Sequence, residues 1–361
     1  MLAAKHVVPS RLLSCLLGLL WGLGSCAGPQ HQPVASHACS PAVVDVGGNQ
    51  IWGNQDGTGA VTVAFEAGFG NDSSVWAAIT PRIRAAGART FVYDRAGMGK
   101  SIIDTRAPYS IDNDVQILRT LWMSCGIAGP IIMVGHSYGG GIGLVAASQD
   151  DSIRGLVLLD AVVPGTYGNG ELEKNVAAMR AQYDEIRAQA PELAKVAIPW
   201  AEALPATVKR IDEVRVPAHL PIIDIVAEHG QNSAASAQIW RDAHIAFTAH
   251  DPAREYLVAT GSSHKVMVDR PDLVVEAILK LLDKVKANRI QECLPRSAGR
   301  ATGCRADRYA GVREPAGRRE DAAAQAVPVE AQREHLDRQA RAADGGADPG
   351  CGSNTVTLRG S

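Results

Sequence analysis

The sequence predicts an α/β domain: a mostly parallel eight-stranded sheet flanked by helices, with a short helical lid inserted past its middle. Three observations carry this expectation. Between about residues 42 and 290, short apolar runs alternate with longer helical patterns, and strand–helix–strand repetition implies parallel strands with right-handed crossovers. The runs Val61-Thr-Val-Ala-Phe65, Ile131-Ile-Met-Val134 and Leu156-Val-Leu-Leu159 are continuous rather than alternating, as strands covered on both faces are. The stretch 163–218 breaks the rhythm with periodic segments rich in Ala, Glu, Lys and Arg, the mark of a helical insertion between two strands.

Taken in order, strands are expected at Val43–Val46, Ile51–Trp52, Val61–Glu66, Thr90–Tyr93, Pro130–Val134, Ile153–Leu159, Leu220–Val226 and Arg254–Thr260. Helices are expected at Ser73–Ala86, Ile111–Cys125, Gly140–Ser148 and Pro271–Lys286, and in the lid at Glu171–Gln189 and Glu192–Leu204. Asp112 or Asn113 suits the cap of the second helix, and Asp269 or Arg270-Pro271 opens the last.

The ends of the chain read differently. Lys5, His6 and Arg11 precede the apolar run Leu12–Leu23, which falls short of the roughly 20 residues that span a bilayer. Residues 1–26 therefore read as an export signal. Its close, Leu23-Gly24-Ser25-Cys26, resembles the bacterial lipobox, so the expected location is periplasmic, lipid-anchored at the cell envelope through Cys26, or secreted. Residues 27–41 form a polar linker. From 291 to 361 a tail is expected to stay disordered. From Leu294 onward it holds no Lys, Ile, Phe, Trp or Met, too little apolar surface to offset the entropy of ordering.

Composition narrows the partners. The 361 residues carry 36 Lys and Arg against 38 Asp and Glu, so no basic face invites nucleic acid. Contact with a membrane is expected only through the N-terminal anchor. Seven cysteines show no CxxC pair and no zinc spacing, and neither metal nor organic cofactor is expected. Cys125 reads first as a small buried apolar residue; pairing of Cys39 with Cys125 or Cys293 is the alternative in an oxidising compartment.

The chemistry concentrates at Gly135-His136-Ser137-Tyr138-Gly139. An apolar strand precedes it and a helix of small residues follows, the context that a G-x-S-x-G elbow requires. Flanking glycines suit a positive-φ turn that lifts the Ser137 hydroxyl above the sheet, with the Tyr138 N–H at a helix N-terminus. A serine hydroxyl needs a base to take its proton and donors to hold the oxyanion. His136 reads as a packing residue beside the nucleophile.

With this elbow, the chain from about Val43 to Lys286 resembles the α/β-hydrolase superfamily, in its serine esterase and lipase branch. Tyr93-Asp-Arg-Ala-Gly-Met-Gly-Lys-Ser101 is similar to the loop after the family's fourth strand. Glu66-Ala-Gly-Phe-Gly70 stands where many members carry His-Gly. Gly261-Ser-Ser-His264, followed by Asp269-Arg-Pro-Asp-Leu-Val274, resembles the histidine loop and final helix.

The resemblance implies the α/β-hydrolase fold and a Ser–His–acid triad. It implies Ser137 as nucleophile, His264 as base, and the Phe69 and Tyr138 N–H groups as the oxyanion hole. Glu66 departs from the family pattern and is expected to face away and brace the turn; Asp94 and Arg95 read as loop braces. His219, His229, His244 and His250 are rivals to His264, but none follows a clear strand and opens a terminal helix. Two acids remain open: Asp160, at the end of Leu156–Leu159, is preferred, and Glu228, after Leu220–Val226, is the alternative. Asp224, a carboxylate inside an apolar strand, has no role in this reading. The expected substrate is a small-molecule ester or related acyl compound, and dehalogenation is disfavoured because the elbow carries Ser where that chemistry needs Asp. A non-catalytic binding protein on the same fold is the competing class.

Overall fold

The computed structural model describes residues 39–249 and 251–293. The expected signal, Cys26, His250, most of the linker and the tail beyond Cys293 lie outside the described residues.

All eight expected strands are present: β1 Ala42–Val46, β2 Asn49–Asp56, β3 Thr62–Glu66, β4 Arg89–Tyr93, β5 Ile131–His136, β6 Ile153–Leu159, β7 Ile222–His229 and β8 Arg254–Ser263. They form one sheet in the order β1-β2-β4-β3-β5-β6-β7-β8. Pairing is antiparallel at β1–β2 and β2–β4 and parallel elsewhere. β3 and β5 are buried at every position. Helices pack on both faces, which is why these strands are apolar throughout rather than alternating. Leu118, Ile142 and Val145 belong to the core on one face, and Ile83, Val274 and Ile278 to the core on the other.

Chain order reverses between β3 and β5. Open α/β sheets place their sites at the carboxyl ends of such strands. Glu66 and Gly135 stand opposite each other there.

The helices differ from expectation in informative ways. The pattern Ser73–Ala86 divides into a 3₁₀ turn, Ser73–Trp76, and α1, Thr80–Ala85. Pro81 has no N–H to continue a helix from the preceding turn and instead sits in the first turn of α1. α2, Ile111–Ser124, is capped by Ser110, whose hydroxyl accepts from the Asn113 N–H at 3.1 Å, not by Asp112 or Asn113. Those two residues lie inside the first turn, and the Asp112 carboxylate there suits the helix dipole. α3, Tyr138–Ala147, is buried throughout and starts directly at the elbow.

The insertion between β6 and β7 holds α4 Glu171–Arg180, α5 Tyr183–Gln189 and α6 Pro191–Asp212. α6 runs through Pro199 and Pro205, held by a buried face of Leu204, Thr207, Val208 and Ile211. α7, Ala234–Ala249, was not expected from the sequence. α8, Val266–Asp269, and α9, Pro271–Cys293, close the chain, α9 outlasting its expected end at Lys286. No described helix is long and apolar enough to cross a membrane.

Cys125 is not simply a buried thiol. It is bonded to Cys39 across 86 residues, tying the segment before β1 to the end of α2. That is the paired alternative, and sequence spacing alone did not favour it.

Candidate active site

Ser137 is the residue between β5 and α3. Its backbone lies at φ 52°, ψ −123°, which costs a non-glycine residue strain of roughly 1–3 kcal/mol. The surroundings over-determine that turn. Its N–H donates to Leu159 O at 3.0 Å, and its carbonyl accepts from Gly140 and Val162, each at 3.0 Å. A side chain at residue 139 would be impossible: a Cβ on Gly139 would lie 2.4 Å from Glu66 O.

His264 follows β8, and its Nδ1 lies 2.6 Å from Asp160 Oδ2. Asp160 is fully buried at the end of β6, at φ 41°. Its other oxygen, Oδ1, accepts from Trp240 Nε1 at 2.9 Å and from the Ala227 N–H at 3.2 Å. Both carboxylate oxygens are thus occupied, which fixes the face it turns to His264. Gly230 leaves room for this: a Cβ there would sit 2.2 Å from Asp160 Oδ2.

Glu228 does not reach His264 through any hydrogen bond. It lies inside β7, exposed, and accepts from the Gly261 N–H at 2.7 Å. β7 runs to His229, past the end expected at Val226, so Glu228 is a strand residue rather than a loop residue. His219 and His229 are exposed, with side chains 82% and 69% accessible. His244 is fully buried, its Nδ1 2.7 Å from Asp224 Oδ2. Asp224 thus gains a partner, sealed away from Ser137 and its cavity.

His136 packs beside Ser137 as expected, and it does more. Its Nε2 lies 2.9 Å from the His264 carbonyl, so that nitrogen carries the proton, and the two rings are 4.6 Å apart. Burial, and second the nearby His264, hold the His136 pKa down at about 4, which keeps the ring neutral.

The turn after β3 is held from below. Glu66 faces away from the elbow and takes hydrogen bonds from Tyr93 OH and from Arg95 Nη1, the latter at 2.7 Å. Burial raises the Glu66 carboxyl to about 7 even with Arg95 beside it. Arg95 also donates to the carbonyls of Ala67 at 2.8 Å and Gly68 at 3.1 Å. In a trans peptide the C=O and the following N–H point opposite ways. Holding Gly68 O toward Arg95 therefore turns the Phe69 N–H away from it. Asp94 braces the neighbouring loop through the Ser73 and Lys100 N–H groups, at 2.8 and 2.9 Å.

Three contributors escape the sequence reading. Asp114 on α2 accepts from both Tyr109 and Tyr138 hydroxyls at 2.8 Å, locking the side chain next to Ser137. Its signal was a carboxylate at an apolar stripe position, with Ile111, Val115 and Leu118. Trp240 comes from the unexpected α7. Trp200 on α6 stacks on Phe69 with ring centroids 4.0 Å apart and meets Tyr138 edge-on.

Ser137 and His264 line one cavity of about 150 Å³ with Thr166, Glu171, Ser236 and Trp240. Larger concavities, such as one of about 300 Å³ near Phe247 and Arg254 and one of about 320 Å³ near Tyr109, contain neither Ser137 nor His264. Among the described residues, no group of three or more His, Cys, Asp or Glu gathers as a metal site would.

Known proteins resemble this chain in sequence and fold. The family model described as alpha/beta hydrolase fold matches residues 62–214. The uncharacterized protein YqjL of Bacillus subtilis (strain 168) is 27% identical over 226 residues, covering 62% of this chain and 85% of its own. Lipase LipV of Mycobacterium tuberculosis (strain ATCC 25618 / H37Rv) is 34% identical over 113 residues, 31% of this chain and 41% of its own. Among solved structures, the haloalkane dehalogenase DatA from Agrobacterium tumefaciens C58 superposes with a TM-score of 0.52 at 18% identity, covering 68% of this chain and 95% of the other. MGS-M2, an alpha/beta hydrolase enzyme from a Medee basin deep-sea metagenome library, does so with a TM-score of 0.50 at 16% identity, covering 67% and 97%.

Proposed function

We propose that this chain, an α/β hydrolase by fold and by family-model match, is an exported serine hydrolase that cleaves a carboxylic ester or related acyl substrate. One observation carries the reading. A serine held at φ 52° between strand and helix shares a cavity with a histidine whose far nitrogen is 2.6 Å from a buried carboxylate. The lipase among the relatives agrees with it. A serine at the elbow, where dehalogenation needs a carboxylate, separates this chain from its dehalogenase neighbour.

In this reading Ser137 Oγ attacks the acyl carbon while its proton passes to His264 Nε2. Asp160 holds the Nδ1–H and stabilises the imidazolium. The Phe69 and Tyr138 N–H groups take the developing oxyanion. His264 then returns the proton to the leaving alkoxide, and water repeats the sequence on the acyl-enzyme. The Cys39–Cys125 bond supports export, since such bonds persist in oxidising compartments.

Turnover of p-nitrophenyl acetate tests the assignment. The expected result is measurable hydrolysis by the wild type, reduced at least about 10⁴-fold in both Ser137→Ala and His264→Ala. Folded variants with wild-type turnover overturn it.

A further inference from the structure

The cavity beside Ser137 is small and its walls are polar. At about 150 Å³ it has room for about five water molecules, below the roughly 300 Å³ at which drug-sized ligand pockets begin. Thr166, Glu171, Asn175, Gln231 and Ser236 supply polar groups to its wall. Trp200 lies flat on Phe69 and edge-on to Tyr138, and it does not line this cavity.

Glu171 sets the sign of this space. It is the first residue of α4 and is mostly buried. Its Oε1 lies 2.8 Å from Lys174 Nζ, and its Oε2 accepts from Ser236 Oγ at 2.8 Å. These contacts, the Lys174 hydrogen bond first, lower its pKa, so it is charged at neutral pH. A carboxylate offers about four acceptor positions, and two are used here. The side chain of Lys174 is itself 70% accessible and leaves toward solvent. The other carboxylate nearby, Asp160, faces His264, Trp240 and the Ala227 N–H.

Resting on the serine hydrolase reading, we propose that Glu171 is a specificity-determining residue that selects short acyl substrates bearing an ammonium group and rejects anionic and long-chain ones. A cation gains a carboxylate at the cavity wall, whereas an anion meets like charge at the same place. A long chain exceeds a cavity of about 150 Å³.

Three ethyl esters of matched length test this: ethyl β-alaninate with a terminal ammonium, ethyl butyrate with a methyl, and monoethyl succinate with a carboxylate. The wild type is expected to show kcat/KM for the ammonium ester about tenfold above the methyl ester, and the succinate about tenfold below it. In Glu171→Gln the cation preference is expected to vanish or invert, because Lys174 then stands without its anion. Lys174→Gln is expected to strengthen the preference, and this arm decides the matter if Glu171→Gln fails to fold. p-Nitrophenyl palmitate is expected to turn over at least about a hundredfold slower than the acetate. Equal rates on the three esters, or a preference untouched in both variants, overturn the inference while leaving the serine mechanism intact. Loss of all hydrolysis, p-nitrophenyl acetate included, overturns the serine mechanism and this inference with it.

Discussion

Two histidine–aspartate pairs sit side by side in this molecule, and they have opposite surroundings. His264 and Asp160 meet at 2.6 Å; His244 and Asp224 meet at 2.7 Å. Both aspartates come from adjacent central strands or their ends, and both use the histidine Nδ1. The difference lies beyond the contact. His264 is 37% accessible and shares a cavity with Ser137, whereas His244 is sealed. Its Nε2, like Asp224 Oδ1, has no hydrogen-bond partner among the described residues. Asp160 is satisfied on both oxygens, and Asp224 on only one. A short histidine–carboxylate contact is therefore not itself a catalytic feature. What sets the His264 pair apart is access and a serine lining the same cavity, the features on which the proposed role rests.

Separating the two histidines is the strongest way to break this comparison. His264→Ala is expected to reduce turnover at least about 10⁴-fold with little loss of stability. His244→Ala leaves a buried carboxylate alone and is expected to cost about 3–5 kcal/mol in urea unfolding, with turnover per folded molecule changed less than about tenfold. Comparable activity losses would erase the distinction drawn here.

The acids give the next largest contrast. Asp160→Asn is expected to lower kcat about 10³- to 10⁴-fold, because an amide no longer fixes the His264 tautomer or its charge. Glu228→Gln alters only an exposed contact to Gly261 and is expected to change kcat by less than about threefold. Initial rates on one ester decide between them, and the reverse order would return the role to Glu228.

The smallest effect concerns a third histidine, neutral by burial. The folded pKa of His136 lies at about 4, below its ordinary 6.5. Its contribution to stability is therefore present above pH 6.5 and lost as pH falls toward 4. A 2.5-unit displacement corresponds to about 3 kcal/mol, from the about 1.4 kcal/mol that each unit carries. Urea unfolding at pH 7 and pH 4 is expected to show that much less acid destabilisation in His136→Gln than in the wild type. Equal pH dependence would mean that the ring does not resist protonation.

Much of the scaffold is legible in the residues. Continuous apolar runs such as Ile131–Val134 announce strands buried on both faces, and Gly135 and Gly139 announce a turn that no larger residue enters. The order of strand, elbow and final helix follows from spacing along the chain. What stayed hidden depends on distant contacts. α7 is rich in Ala, yet it carries Trp240, Ala243, His244 and Phe247 on one buried face, and Ser233 Oγ accepts from the Ser236 N–H at its start. His244 and Thr248 in that face mask the apolar period. Sequence only weakly separated Asp160 from Glu228, because the choice turns on a strand that ends three residues later than expected and on a donor from α7. The Cys39–Cys125 pairing rests on the fold bringing two segments together.

The central claim is that Ser137 is a nucleophile activated by the exposed pair and not by the sealed one. Reaction of the wild type with a fluorophosphonate, digestion and mass spectrometry of the peptides test it most directly. The account predicts a single phosphonyl adduct on Ser137, slowed strongly by His264→Ala and left in place by His244→Ala. An adduct on another serine, or none on folded protein, would contradict it.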